Sequence, residues 1–223
     1  MLIVSGLFSA GTTGVWAVAA TTGNFYGQAM TAGHIYLIAG GGLAAGDGIP
    51  AVTASMPTPT GVAVDHAGNV VIADKYQNPD RGFSGFRLRV VAASNGTFYG
   101  QKMTAEDIYT IAGGGSLRGS GHLATDTQLN APWGVAISGS GNVLVSLGNT
   151  RLDVIPVRSG KFYGQRMTAL HLYGIAGGGN GIVPDNRLAT RIALLRPQGV
   201  AVDQAGDAIV SAIGENRVIL VRA

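Results

Sequence analysis

Cysteine is absent from this 223-residue chain, and charged residues make up only 12% of it. The absence of cysteine excludes a disulfide framework and any thiolate metal or redox site. The low charge stands beside 46% hydrophobic residues, a balance that argues against intrinsic disorder. The composition therefore indicates a folded chain without covalent cross-links.

Basic residues are missing from the first third of the chain. Residues 1–74 contain no lysine or arginine and three aspartates, Asp47, Asp65 and Asp74, for a net charge of −3. Residues 75–223 carry all fifteen basic residues and nine acidic ones, a net charge of +6. Such asymmetry favours head-to-tail attraction between copies, although salt screens exposed charges over about 8 to 10 Å.

Long hydrophobic runs are also missing, since no uninterrupted apolar segment reaches the roughly 18 residues typical of a membrane span. We therefore expect no contact with a membrane. The first residues lack the basic region that opens a secretory signal, and we interpret Leu2–Ser5 as a strand.

Glycine is abundant, with 36 positions, and much of it lies in a long repeat. The pattern Phe-Tyr-Gly-Gln-x-Met-Thr-Ala-x-x-(Ile/Leu)-Tyr-x-Ile-Ala-Gly-Gly-Gly begins at Phe25, Phe98 and Phe162, and 13 of its 18 positions are identical in all three copies. Repeats at this spacing indicate an array of one supersecondary unit.

A second repeated motif alternates with the first: Pro-x-Gly-Val-Ala-(Val/Ile)-(Asp/Ser), beginning at Pro59, Pro132 and Pro197. A short polar turn containing glycine follows each copy, as in a β-hairpin, and two further apolar segments come next. With the Tyr-x-Ile-Ala segment of the long repeat, each unit contains four predicted strands. This is the pattern of a β-propeller blade.

The segments Ile38–Ala51, Pro59–Asp65 and Gly68–Asp74 resemble the NHL repeat family of propellers, and the similarity extends over nearly the whole chain. The resemblance implies an all-β propeller of four-stranded antiparallel blades. It also slightly favours an extracellular or cell-surface location. We interpret the Phe-Tyr-Gly-Gln segment as a hairpin extension between the third and fourth strands.

Counting strands predicts fourteen, or about 3.5 blades, with incomplete blades at both ends. The predicted divisions are a partial blade over 1–42, blades over 43–115 and 116–179, and a partial blade over 180–223. The open end blades would expose apolar faces and strand edges. We therefore expect a homo-oligomer or filament formed by head-to-tail completion of blades.

Two sets of residues are candidate binding sites. The second residue of each first strand differs between copies, and these residues should lie near one mouth of the propeller channel: Thr60, Trp133 and Gln198. A basic face is predicted from residues in or beside the connections between second and third strands: Lys75, Tyr76, Arg151 and Arg217. Burial of Trp133 in blade packing is the competing interpretation of the first set, and solvated surface is that of the second.

Other patterns in the sequence do not indicate a phosphate-binding, metal or catalytic site. The Gly-Gly-Gly runs do not continue into a phosphate-binding motif. Equivalent positions such as His34 and His171 should lie far apart around a propeller axis, so we predict no metal site and no cofactor. Asp65, Asp74 and Asp203 lie at turns and strand ends, where accepting amide hydrogen bonds explains them.

The sequence therefore predicts a non-catalytic scaffold that binds protein or a small ligand and assembles through its end blades. One alternative, resting on analogy of fold, is a propeller lyase or hydrolase with a site in the channel. A second alternative is an RNA-binding propeller, which is disfavoured because aspartates share the basic face.

Overall fold

The computed structural model describes residues 1–7, 13–75, 77–78, 83–148, 150–180 and 187–223. The protein is all-β, with 54% strand and 6% helix. It divides into two compact units, residues 1–111 and 112–223. In the described part of the chain, no helix is long and apolar enough to cross a membrane.

The described residues of the first unit form two main sheets and three short hairpins. Its strands are β1 (Leu2–Leu7), β2 (Thr13–Val18), β3 (Gly23–Phe25), β4 (Gln28–Met30), β5 (Ile35–Gly40), β6 (Ile49–Pro50), β7 (Pro59–Val64), β8 (Val70–Asp74), β9 (Gln77–Asn78), β10 (Phe83–Ser84), β11 (Arg87–Val91), β12 (Gly96–Phe98), β13 (Gln101–Met103) and β14 (Asp107–Gly113). The sheets have the orders β1-β2-β5, here called sheet A, and β6-β14-β11-β8-β7, sheet B. A 3-10 turn, Ala51–Thr53, follows β6.

The second unit repeats this plan. Its strands are β15 (His122–Leu123), β16 (Pro132–Ile137), β17 (Val143–Leu147), β18 (Arg151–Ile155), β19 (Gly160–Phe162), β20 (Gln165–Met167), β21 (His171–Gly177), β22 (Pro197–Val202), β23 (Ala208–Ala212) and β24 (Arg217–Val221). The order β15-β21-β18-β17-β16 forms sheet C, and β22-β23-β24 forms sheet D. Its 3-10 turns are Ala124–Asp126, Ala189–Arg191 and Ile213–Glu215.

Within each unit the two sheets are arranged as neighbouring blades of a β-propeller. In the first unit β1 lies beside β7, and in the second β16 lies beside β22. A core of buried aliphatic residues fills each interface between sheets. In the second unit, Leu144, Leu152 and Val154 of sheet C meet Ala208, Val210 and Val221 of sheet D. The predicted all-β, propeller-like architecture is confirmed at this level.

The predicted number and completeness of blades are wrong. Among the described residues the main sheets number four, with three, five, five and three strands, where we predicted about 3.5 four-stranded blades. The fifth strands, β6 and β15, come from the glycine-rich connectors and pair with β14 and β21. An outer strand with an unpaired edge recruits such a segment because its backbone groups need partners. Two-residue strands of this kind have too short a pattern to be read from sequence.

The Phe-Tyr-Gly-Gln segments form the hairpins β3-β4, β12-β13 and β19-β20, each between a third and a fourth strand, as predicted. Each glutamine donates a hydrogen bond to a carbonyl of the following fourth strand, that of Leu37, Thr110 or Gly174. The methionines of the repeat are buried. The shared residues of the repeat therefore have structural roles.

The tyrosine and glycine of this repeat form the tip of the hairpin. Tyr26, Tyr99 and Tyr163 have φ values of 47°, 50° and 48°. Positive φ at both central residues of a two-residue loop gives the twist that antiparallel strands require. A glycine follows each tyrosine and accepts this conformation without strain.

The Gly-Gly-Gly runs lead out of the fourth strands β5, β14 and β21. A methyl group on the third glycine of each run would overlap the backbone of the 3-10 turn that follows: Gly42 against Thr53, Gly115 against Asp126, and Gly179 against Arg191. Only glycine permits this approach of two backbones.

Candidate functional site

The predicted channel-mouth residues occupy the second position of β7, β16 and β22, and all three are half-buried. The Thr60 hydroxyl donates to the carbonyl oxygen of Ala73 at 3.3 Å. The Trp133 indole packs over Gly148, and the Gln198 carbonyl accepts a hydrogen bond from Ser146. Trp133 and Gln198 belong to neighbouring strands of one unit. A binding role for these three residues stays a prediction.

The basic-face residues separate into different environments. Lys75 directly follows β8, and partial burial lowers the pKa of its amine. Arg217 begins β24 and is exposed. Arg151 begins β18 and pairs with a buried carboxylate. Tyr76 lies outside the described residues.

A polar pocket of about 210 Å³ lies in the second unit, beside strands β17, β18 and β21 of sheet C. Its polar lining consists of Arg118, Gln128, Asn130, Thr150, Arg151 and Asp153. Leu147 and Leu172, both buried, form its apolar part. Arg118, Gln128 and Asn130 come from the connector before β16, so sheet and connector together shape the pocket. We name it the sheet C pocket.

Asp153 lies at the base of the sheet C pocket and is 1% exposed. Both of its carboxylate oxygens accept from Arg151: Oδ1 from Nε at 2.9 Å and Oδ2 from Nη2 at 3.0 Å. Burial raises the pKa of Asp153 to about 6, and the nearby Arg151 cation only partly offsets that effect. The pair thus places a fixed guanidinium at the edge of the pocket.

The sequence did not point to Asp153. The available signal was a carboxylate in the third strand of a blade, within the otherwise apolar stretch Leu152–Ile155. At the equivalent position of sheet B stands Arg89, which is also buried. A charge in the middle of a buried strand is rare unless it is paired, and each of these residues has an oppositely charged partner.

Sheet B contains a second buried charged cluster, formed by Asp74, Arg87 and Arg89. Burial raises the pKa of Asp74 to about 6, and the two arginines lower it in part. Asp74 was expected to accept hydrogen bonds from turn amides, but it lies at the buried end of β8. That role is filled by Asp65 and Asp203, which each accept two turn amides, as predicted.

A more apolar pocket of about 420 Å³ lies in the first unit. Tyr26, Leu37, Ile38, Pro50 and Val52 line it. One carboxylate, that of Glu106, also faces it. Among the described residues that line it, Glu106 is the one charged residue.

The histidines of the long repeat have local partners. The Nδ1 atoms of His34 and His171 lie 3.1 Å and 2.8 Å from the carbonyl oxygens of Ala32 and Ala169, two residues earlier. In the described ranges, no three His, Cys, Asp or Glu side chains are grouped closely enough to hold a metal ion.

No protein-family model matches the sequence, and no curated protein matches it. Among solved structures, it is similar to a structural genomics protein of unknown function from Bacteroides thetaiotaomicron, with a TM-score of 0.53 and 12% identity. That similarity covers 97% of this chain and 43% of the other, so the chain spans less than half the length of that protein. At this identity the likeness shows a shared fold alone.

Proposed function

We propose that the protein is a non-catalytic binding scaffold of the NHL propeller type, and that its end sheets bind the end sheets of a second copy. The observation that supports this proposal is the exposure of apolar residues on β24. Val218 is 72% exposed and Leu220 is 52% exposed. Large apolar side chains grouped on one sheet face indicate an interaction surface.

The repeat itself indicates which surface fits there. Leu152 and Val154 occupy the equivalent positions on β18, and both are fully buried at the interface with sheet D. Because β18 and β24 are equivalent strands, the surface suited to Val218 and Leu220 is another blade. Burying several hundred Å² of such surface contributes on the order of 10 kcal/mol before the costs of association.

Sheet A has an exposed face that fits the β24 face of a second copy. Val4 on β1 is 38% exposed, whereas its equivalents Ile72 on β8 and Val145 on β17 are fully buried. A second copy packed head to tail would bring the β24 face of one chain against the β1 face of the next. The net charge of −3 on residues 1–74 and +6 on residues 75–223 adds an attraction that salt weakens.

Sedimentation velocity with light scattering tests the proposal. We expect the wild-type chain to assemble at micromolar concentration, more weakly as salt is raised. The double variant Val218→Asp/Leu220→Asp should remain monomeric, because two carboxylates would be buried without partners. Leu43→Asp is the matched control, since Leu43 is also 72% exposed but lies in a connector.

A wild-type monomer would contradict assembly with a second copy, as would an oligomer that the double variant leaves intact. Electron microscopy of the wild-type assembly separates a closed ring from a filament. An isologous contact between two β24 faces would contradict the head-to-tail arrangement.

A further inference from the structure

Beside the sheet C pocket, two side chains are shorter than their equivalents in sheet B. The middle position of the third strand holds Arg89 in sheet B and Asp153 in sheet C, paired in the same register with Ile72 and Val145. On the neighbouring fourth strand, Thr110 of sheet B corresponds to Gly174 of sheet C. Both changes shorten the side chain in sheet C.

In sheet B the space equivalent to the sheet C pocket is filled by side chains of the sheet and of its connector. The Arg89 guanidinium donates to the carbonyl oxygen of Gly46 at 2.6 Å and lies 3.8 Å from the Asp47 carboxylate. The same carboxylate accepts a hydrogen bond from the Thr110 hydroxyl at 2.9 Å. Sheet B thus supplies its own cation, its own carboxylate and its own hydroxyl.

In sheet C the carboxylate of the connector is missing, because Ser120 stands where sheet B has Asp47. The cation is present, supplied by Arg151, whose Nη2 lies 3.5 Å from the Ser120 hydroxyl oxygen. The pocket of about 210 Å³ opens beside this position.

The remaining lining is rich in donors. Arg118, Gln128 and Asn130 line the pocket, and the equivalent residues of sheet B are Ala45, Ser55 and Pro57, none of them charged. Arg118 donates from Nε to the Gln128 side-chain oxygen at 3.0 Å, which holds the two side chains together. The described lining therefore carries two cations and one carboxylate, and that carboxylate already accepts from Arg151 at both oxygens.

From this arrangement we infer that the sheet C pocket binds a small hydroxylated carboxylate of about monosaccharide size. Its carboxylate supplies the negative charge that Asp47 supplies in sheet B, and it lies between Arg151 and Arg118. Its hydroxyl groups meet the Gln128 and Asn130 amides, and its C–H groups pack on Leu147 and Leu172. Arginine suits this task because its planar guanidinium matches a carboxylate.

Isothermal titration calorimetry with D-glucuronate and D-gluconate tests the inference, with D-glucose and inorganic phosphate as comparisons. We expect saturable binding of at least one carboxylate in the millimolar range or tighter, and none of glucose. Arg118→Ala should weaken binding at least about tenfold, because it removes a charged hydrogen-bond donor. Arg158→Ala, an exposed arginine in the same unit outside the pocket lining, should leave the affinity unchanged.

Ser120→Asp is the most direct test, because it introduces the carboxylate that sheet B has at this position. It should abolish binding, because a negative charge at residue 120 repels the carboxylate of the ligand. Ser120→Asn has nearly the same shape without the charge and should retain binding.

The inference is overturned if neither carboxylate binds, if phosphate alone binds, or if Ser120→Asp and Ser120→Asn behave alike. Circular dichroism of each variant ensures that a loss of binding is not a loss of fold. The exposed face of β24 has no part in this pocket. The result is therefore independent of whether the chain assembles.

Discussion

The hydroxyl of Tyr163 donates a hydrogen bond of 2.9 Å to the carbonyl oxygen of Gly206, in the first hairpin of the neighbouring sheet. Tyr26 makes the equivalent bond to Gly68 at 2.8 Å. In each unit, the inserted hairpin of one sheet therefore reaches across to the next sheet and bonds to its turn. Burial raises the pKa of both phenols to about 12, so they remain donors across the physiological pH range.

Replacing this tyrosine should weaken the contact between sheets. Tyr163→Phe removes only the hydroxyl, so the Gly206 carbonyl can bond to water instead. We therefore expect the free energy of unfolding to fall by about 1 kcal/mol. Urea unfolding measures it. Lys161→Gln, on the exposed side of the same hairpin, should change stability by less than about 0.5 kcal/mol. Equal effects of the two substitutions would argue against the bond between sheets.

Ser146 bridges two sheets through one hydroxyl. It accepts from the Gly134 amide at 2.9 Å and donates to the carbonyl of Gln198 on β22. Ser211 of sheet D accepts the equivalent local bond from the Gly199 amide at 2.8 Å, and its hydroxyl also lies 3.5 Å from the Gly199 carbonyl oxygen, within the same sheet. We therefore expect Ser146→Ala to cost about 1 kcal/mol more than Ser211→Ala in urea unfolding. A smaller cost for Ser146→Ala would contradict this.

The backbones of β16 and β22 approach so closely at Gly134 that a methyl group there would overlap the Gln198 carbonyl oxygen. Gly134→Ala must push the strands apart, and we expect it to destabilise the protein by about 1 to 3 kcal/mol, in the range of overpacked cores. Gly139→Ala, in the hairpin that follows, has open space around the new methyl group and should be nearly neutral. Differential scanning calorimetry of the two variants compares them directly, and equal melting temperatures would exclude close packing at Gly134.

The positions of the strands could be predicted from the sequence because each repeat contains motifs that mark particular strands. The Pro-x-Gly-Val-Ala motif, the polar turn and the Tyr-x-Ile-Ala segment predicted where first, second and fourth strands lie, and the structure has β7, β8 and β14 at those places. The two-residue strands β6 and β15 were missed because they form only through partners far along the chain. A pattern of two residues has no periodicity to detect.

The candidate site could not be predicted from the sequence, because its residues are brought together only by the fold. Comparison of the repeats predicted binding residues where the copies differ on the first strand, at Thr60, Trp133 and Gln198. At the sheet C pocket the substitutions are Asp153 for Arg89 and Gly174 for Thr110, on two strands that only the fold brings together. The Arg151 guanidinium lies against Gly174. The shortening of two side chains is visible in the sequence, but the space that it leaves is not.

Buried carboxylates give the stability of this protein an unusual dependence on pH. Burial raises the pKa of Asp153 and of Asp74 from 3.8 to about 6. Between about pH 4 and pH 6 the folded state holds these protons more tightly than the unfolded chain does. The free energy of unfolding should therefore fall as the pH rises through this window, by at most about 3 kcal/mol for each group, and the loss is complete above the folded pKa.

Asp153→Asn tests this dependence without altering the shape of the side chain. The asparagine carries no titrating group, so its contribution to the slope between pH 4 and pH 6 should disappear, while that of Asp74 remains. Urea unfolding of wild type and variant at several pH values gives both slopes, and their difference isolates Asp153 from every other carboxylate. If the two proteins lose stability in parallel as the pH rises, Asp153 titrates at its ordinary pKa, and the attraction of Arg151 fully offsets its burial.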